Sequence, residues 1–312
     1  MGASATAPAI RLTELSKYYG AVIGVDRLSL DVASGEVFGF LGANGAGKTT
    51  TIRMLLDLLR PTSGSASILG FDCGREGLEA RRRIGYLPGE MPIYPELTGA
   101  GYIRFLAALG SEPVAPSRLS ALFRRFDVSD LDLSRRMREY SHGMKRKLGI
   151  IQALMTGAPV LVLDEPTSGL DPLMIEAFAE TLDELARSSQ TTVFLSSHVL
   201  SEVERVCHRI ALVRTGRLVA VRSLNELRAA APRRVTVIFS QPVVARPPAA
   251  SGVIVVDTAP QRWVVDVTGP LGVVLASLAP LPVADINVAR LTVEEELLRL
   301  FTEGVEAGAA SA

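Results

Sequence analysis

The run Gly42-Ala43-Asn44-Gly45-Ala46-Gly47-Lys48-Thr49 fills every fixed place of the pattern G-x-x-x-x-G-K-[ST], and it constrains the fold more than any other stretch of the chain. Its glycines let backbone N–H groups close around phosphate oxygens, Lys48 supplies a compact positive charge, and Thr49 offers a hydroxyl to Mg2+. Such a loop needs a strand to deliver it and a helix N-terminus to receive it, where aligned peptide dipoles favour an anion. Val37 to Leu41 is apolar and strand-like, and Thr50 to Leu59 is helix-like. The chain is therefore expected to hold a nucleoside triphosphate, with Gly42, Asn44, Gly45, Ala46, Gly47, Lys48, Thr49 and Thr50 around its phosphates.

The 312 residues suggest two domains and are ample for a packed core. A composition of 48% hydrophobic and 21% charged residues is that of a globular chain. With 33 basic and 33 acidic residues the net charge is zero, so no overall electrostatic pull toward nucleic acid or anionic lipid is expected. Arg81-Arg82-Arg83 and Arg135-Arg136 read as solvated helix faces. Cys73 and Cys207 are too few for a disulfide framework and suit a reducing cytoplasm. Leu271 to Ala284 is broken by Pro280 and Pro282 and falls short of the roughly 20 apolar residues a bilayer requires, so no transmembrane helix is expected. The N-terminus lacks the charged-then-apolar order of a signal peptide. Met1-Gly2-Ala3-Ser4-Ala5-Thr6 fits the loose myristoylation pattern, which small residues at a chain start match easily.

Three strand-like segments fill residues 9 to 41, and a helix is expected from Lys48 to Leu59. Strands follow around Ser65 to Leu69 and Ile84 to Leu87. Thr98 to Gly157 is mostly helical, with breaks at Gly110 to Pro116 and near Asp130. Val160 to Leu163, Leu173 to Arg187, Thr191 to Leu195, Leu200 to Val206 and Ile210 to Val213 then alternate strand and helix, the mark of a parallel sheet. The first of these is apolar throughout and ends in Asp164-Glu165. Two carboxylates at the carboxyl end of a buried strand stand where open α/β sheets place their ligands. Asp164 suits a Mg2+ shell, and Glu165 suits the orientation or deprotonation of a water.

Further motifs follow in order. Tyr140-Ser141-His142-Gly143-Met144 leads straight into a helix, Ser168-Gly169-Leu170-Asp171 follows the two carboxylates, His198 lies beyond a strand, and Tyr19 sits in Lys17-Tyr18-Tyr19-Gly20. Together with the phosphate loop and Asp164-Glu165, these resemble the ATP-binding cassette (ABC) family over roughly 180 residues. The resemblance implies an α/β fold: a P-loop ATPase with an antiparallel β subdomain, a helical subdomain at about 98–157 and a small α+β C-terminal domain. It implies ATP and Mg2+ as cofactors, Tyr19 stacked on adenine, Glu165 and His198 as catalytic residues, and Thr49 with Asp164 on the metal. In such a family Ser141, His142 and Gly143 complete the site of a second nucleotide-binding subunit, with Asp171 at the junction. A homodimer follows, joined to a separate transmembrane permease at the cytoplasmic face of the cell membrane, with no nucleic acid partner.

Two positions depart from the family pattern. His142 replaces a glycine of the signature, and Gly89, in Ile84-Gly85-Tyr86-Leu87-Pro88-Gly89-Glu90, stands where a glutamine usually does. Glu90 is a candidate to take over that contact with Mg2+ and the attacking water, with a solvated loop acid beside a loop that signals through its backbone alone as an equal alternative. Met91-Pro92-Ile93-Tyr94-Pro95 is a candidate docking surface, with internal packing an equal alternative. Residues 1–230 are assigned to the cassette and 231–312 to an accessory or regulatory domain, with Ala229 to Pro232 as linker and a final helix opened by the capping box Thr292-Val293-Glu294-Glu295. This tail is similar to that of the drug- and antibiotic-export branch. The expected function is the ATPase subunit of an ABC exporter. A soluble ABC ATPase and a slowly hydrolysing, ATP-gated assembly module are the alternatives. Only about 110 residues separate the two ATP motifs, too few for the long coiled coil of DNA-repair members.

Overall fold

The computed structural model describes residues 7–292 and Glu295, apart from residues 93, 111 and 190. It divides into two compact units, Met1–Arg222 and Ser223–Ala312.

The first unit opens with β1 (Ile10–Tyr19) and β2 (Val22–Val32), an antiparallel pair whose register shifts three times. β4 (Ser63–Ile68) pairs with the other edge of β1, and β5 (Phe71–Asp72) completes the sheet order β2-β1-β4-β5. Alternation sends Ile10, Leu12, Val25, Leu28 and Leu30 into one core. A second sheet is built from β3 (Val37–Leu41), β6 (Ile84–Leu87), β7 (Val160–Asp164), β8 (Thr192–Ser197), β9 (Arg209–Arg214) and β10 (Arg217–Ser223), in the order β10-β9-β3-β8-β7-β6. From β9 to β6 every pairing is parallel. β3, β7 and β8 are buried at every residue, as their apolar centres require of strands covered on both faces, and Ser196, Ser197 and Asp164 are buried polar groups at the carboxyl ends of β8 and β7.

Helix α1 (Lys48–Leu55) touches β2, β4 and β7, and so lies between the two sheets. Its Ile52, Met54 and Leu55 join the shared core. α7 (Pro172–Ser189) and α8 (Leu200–Val206) pack on β3 and β8. α2 (Gly77–Arg81) is a single short turn beside β5.

The helical region holds α3 (Gly99–Leu109), α4 (Pro116–Arg125), α5 (Asp130–Ser134) and α6 (His142–Met155). Each start has a local cause. Thr98 accepts from the Gly101 N–H, Pro116 occupies the first turn of α4, Ser129 and Asp132 form a reciprocal capping box, and Ser141 accepts from the Met144 N–H.

Three expectations change. The helix after the phosphate loop ends at Leu55 rather than Leu59, because Asp57 turns into the left-handed region at φ 56° and the N–H groups of Leu58 and Leu59 both reach back to the Arg53 carbonyl. Asp57 is held there by Arg60 and Arg81. Arg135 and Arg136 do not form a helix face: they follow α5, and Arg136 pairs with Glu96. Ala229 and Ala230 belong to a helix, not to an open linker.

In the second unit α9 (Leu224–Ala230) is capped by Ser223. β11 (Arg233–Phe239), β12 (Val253–Ala259), β13 (Arg262–Val267) and β14 (Val283–Arg290) form an antiparallel sheet in the order β12-β13-β11-β14. Val235, Val237, Phe239, Trp263, Val265 and Val267 share one face with Val274 and Leu278 of α10 (Gly272–Leu278). Phe239 meets Trp263 edge-on at 4.9 Å. The Thr292–Glu295 capping hydrogen bonds are present, and Arg234 grips both Asp266 and Glu295. The rest of the expected final helix to Phe301, the Met1–Thr6 segment and Ile93 lie outside the described residues.

β6 lies against α6 without a spacer side chain: a Cβ on Gly85 would collide with the Ala153 carbonyl oxygen and stand 2.7 Å from Leu161. Gly85→Ala is therefore expected to destabilise the first unit by about 1–3 kcal/mol. A shift of the denaturant midpoint checks this.

Candidate functional site

Parallel pairing sets the level of the site. Leu41 of β3 stands opposite Ser197 of β8, and Asp164 of β7 stands opposite Ser196. Gly42, Glu165 and His198 therefore leave the sheet side by side at its carboxyl edge, the position where open α/β sheets hold ligands.

The loop from Gly42 to Lys48 has the shape of a cradle. Gly47 takes φ 100° and starts α1, and a Cβ there would collide with the Gly24 carbonyl oxygen, so only glycine fits. Asn44 and Gly45 are exposed at the rim, while Gly42, Ala46 and Gly47 are buried. Thr50 is half-buried on α1.

Lys48 is only 6% exposed. It donates to the carbonyls of Gly42 at 2.7 Å and Ala43 at 3.3 Å, and its Nζ lies 3.3 Å from Glu165 Oε1. The other carboxylate oxygen of Glu165 is 2.7 Å from His198 Nδ1. Thr49 Oγ1 donates to Asp164 Oδ2 at 3.0 Å, and the Ser196 hydroxyl donates to Asp164 Oδ1. Lys48, Thr49, Asp164, Glu165 and His198 thus form one contiguous polar cluster. Glu165 holds φ 50°, a left-handed conformation that costs a residue with a side chain on the order of 1–3 kcal/mol. Its N–H is pinned to the Ser196 carbonyl at 3.1 Å.

Tyr19 is 48% exposed. Its ring lies over Gly24, where a Cβ would stand 2.8 Å away, and Lys17 Nζ is 5.5 Å from the ring centroid. Because Gly24 also abuts Gly47, the aromatic stands beside the phosphate loop.

Ser141, His142 and Gly143 make a different grouping. The His142 ring covers Gly169, and a Cβ on Gly143 would stand 2.7 Å from the Gly169 carbonyl oxygen. Asp171 in the same loop accepts from the Met174 N–H at 3.0 Å and caps α7. The Lys48 cluster is built without these residues. It is also built without Glu90, which is exposed, while Gly89 faces Asp164: a Cβ on Gly89 would lie 3.2 Å from Oδ2.

Two residues escaped the sequence reading. Ser196 positions both acids, and its only signal was a serine closing an apolar strand. Arg146, 2% exposed, donates to the carbonyls of Pro88 at 2.9 Å and Gly89 at 2.6 Å, and its Nε is unpartnered. Burial pushes the pKa of its guanidinium down, against the pull of Asp164 and Glu165. In the sequence Arg146 carries no signal of its own, lying between Lys145 and Lys147.

The Thr49 hydroxyl and the Asp164 carboxylate are hard oxygen donors of the kind Mg2+ takes together with phosphates and water. Among the described residues no group of three or more His, Cys, Asp or Glu could hold a metal ion, so the donor set fits a metal that arrives with phosphate rather than a protein cage. Cradle, buried lysine and strand-end carboxylates define a P-loop nucleotide site.

A family model for ABC transporters matches residues 25–168. A bacitracin transport ATP-binding protein of Bacillus licheniformis is 37% identical over 211 residues, covering 67% of this chain and 68% of its own length. A daunorubicin resistance ATP-binding protein of Streptomyces coeruleorubidus is 39% identical over 226 residues, covering 71% and 70%. A solved ATP-binding subunit of an ABC transporter is 30% identical, with a TM-score of 0.64, covering 71% of this chain and 92% of its own. A dimeric ATP-binding cassette bound to ADP and Pi shares the fold at 20% identity and a TM-score of 0.64, over 69% of this chain and 98% of its own. The chain belongs to the ATP-binding subunits of ABC transporters. It binds ATP and is an ATP hydrolase.

Lys48→Met removes the one cation inside the described cluster. The variant is expected to fold and to lose at least about tenfold in nucleotide affinity, which titration calorimetry reads directly.

Proposed function

We propose that this chain powers export of an antibiotic, drug or other hydrophobic compound through a separate transmembrane permease, to which it binds at the cytoplasmic face of the cell membrane. The names of the bacitracin and daunorubicin relatives support the class of compound. Among the described residues no helix is long and apolar enough to cross a membrane, which accords with a peripheral subunit. The observation that carries the ATP-driven part of the reading is the Lys48–Glu165–His198 chain of contacts beside Thr49–Asp164.

In the proposed chemistry Gly42 to Lys48 hold the phosphates, and Lys48 exchanges its contact with Glu165 for the phosphate oxygens. Glu165, released, orients and deprotonates the attacking water. His198, hydrogen-bonded to Glu165, fixes the carboxylate and senses the terminal phosphate. Tyr19 stacks on adenine. Mg2+, when bound, neutralises charge developing on the phosphates. Thr49 and Asp164 would hold it, with Glu90 as a further donor.

Ser141, His142 and Gly143 would face the nucleotide of a second copy of this chain, with Asp171 at the junction. Two copies placed head to tail then share two ATP molecules. Residues 1–230 would form the cassette. Residues 231–312 would form an accessory domain with a regulatory or dimer-stabilising role.

Glu165→Gln is expected to cut turnover by about 10²-fold or more while MgATP still binds. Light scattering should then show an ATP-dependent dimer. Turnover within about twofold of wild type would sink the assignment of Glu165 as base. The exporter reading is checked by co-purification: the partner should be a membrane-spanning protein, and a hydrophobic compound should raise turnover of the complex.

A further inference from the structure

α6 and the segment after β6 are zipped together along one helix face. Gly85 packs on Ala153, Gln152 donates to the Tyr86 carbonyl at 3.3 Å, and Gly149 leaves room for Leu87 and Met91, whose side chains would stand 2.7 and 2.5 Å from a Cβ there. Arg146 ends the zipper with its fork on the Pro88 and Gly89 carbonyls. These positions recur at helical spacing, so the segment packs along one face of α6.

A buried guanidinium with no carboxylate partner among the described ion pairs and an unpartnered Nε is costly, and packing alone gives no reason for it. Its placement supplies one. Gly89 lies against Asp164 Oδ2, and Asp164 holds the Thr49 hydroxyl at 3.0 Å. At the start of α6, Gly143 and His142 rest on Gly169, in the loop that begins at Glu165. The contacts close a circuit: Thr49, Asp164, Gly89, Arg146, the start of α6, Gly169, and back to Glu165.

We infer that Arg146 is a positioning residue that couples nucleotide bound at this chain's own Thr49–Asp164 pair to the Ser141–Gly143 edge offered to the second copy. The inference rests on the composite site proposed above. A shift of Asp164 displaces the Gly89 backbone, and the guanidinium fork passes the displacement to α6 because it holds two carbonyls rigidly. A lysine keeps the charge but not the fork. Spatial adjacency alone is not coupling, so the test must read coupling directly.

The full-length chain is compared with R146K and R146M by amide hydrogen exchange over residues 141–149, with and without MgATP, at a concentration where light scattering shows monomer. Wild type is expected to slow several-fold on binding MgATP. R146K is expected to bind MgATP within about twofold of wild type yet show no slowing, and the Hill coefficient of its turnover should fall from about 2 toward about 1. R146M orphans two buried carbonyls, and if it fails to fold, R146K carries the test. A slowing retained in R146K, a slowing absent from wild type, or a loss of MgATP affinity in R146K that parallels the loss of slowing overturns the inference. Slowing in the wild-type chain together with a Glu165→Gln chain that never dimerises with MgATP overturns the composite site instead, and with it the coupling between copies.

Discussion

The site depends first on the parallel pairing of β3, β8 and β7. The pairing sets Leu41 opposite Ser197 and Asp164 opposite Ser196, so the three strands end within one residue of a common level, and the residues proposed to do the chemistry are those next along the chain. Burial of all three strands on both faces makes a slip of one residue prohibitive, since it would turn every side chain to the opposite layer. Loops only add detail to this alignment. Lys48 bridges the end of β3 to the end of β7, and Ser196 in β8 fastens both acids.

Much of this was legible in the chain because its causes are local. A phosphate loop needs glycine where the backbone turns left-handed and a neighbour leaves no space, and Gly47 meets both conditions within its own segment. The strand ending in Asp164-Glu165 announced itself by an apolar run broken by two charges. Features with non-local causes stayed hidden. α1 ends early because Arg81, 24 residues on, helps hold Asp57 in its turn. Arg146 reads as one more surface arginine until Pro88 and Gly89 are seen against it. β5 and α2 are too short to show a period.

The departures at His142 and Gly89 also take on physical sense. A large ring at 142 is accommodated because residue 169 is glycine, so the two positions form a pair and not two separate oddities. At position 89 the lack of a side chain lets the backbone itself lie against Asp164, and Arg146 holds that backbone from behind. A Cβ at 89 would stand 3.2 Å from Asp164 Oδ2, so the carboxylate or the backbone would have to give by a few tenths of an ångström to admit it.

The left-handed backbone at Glu165 sets the acid's place in the chain against its place in the sheet. Residues such as glycine or asparagine would rest there more comfortably, and neither could serve as the base proposed for this position. Selection for a tougher protein and selection for a working one therefore pull in opposite directions at this position. A lineage that gave up hydrolysis would be free to relax there, and such a change would leave a record that the chain had become a binder of nucleotide and ceased to be an engine.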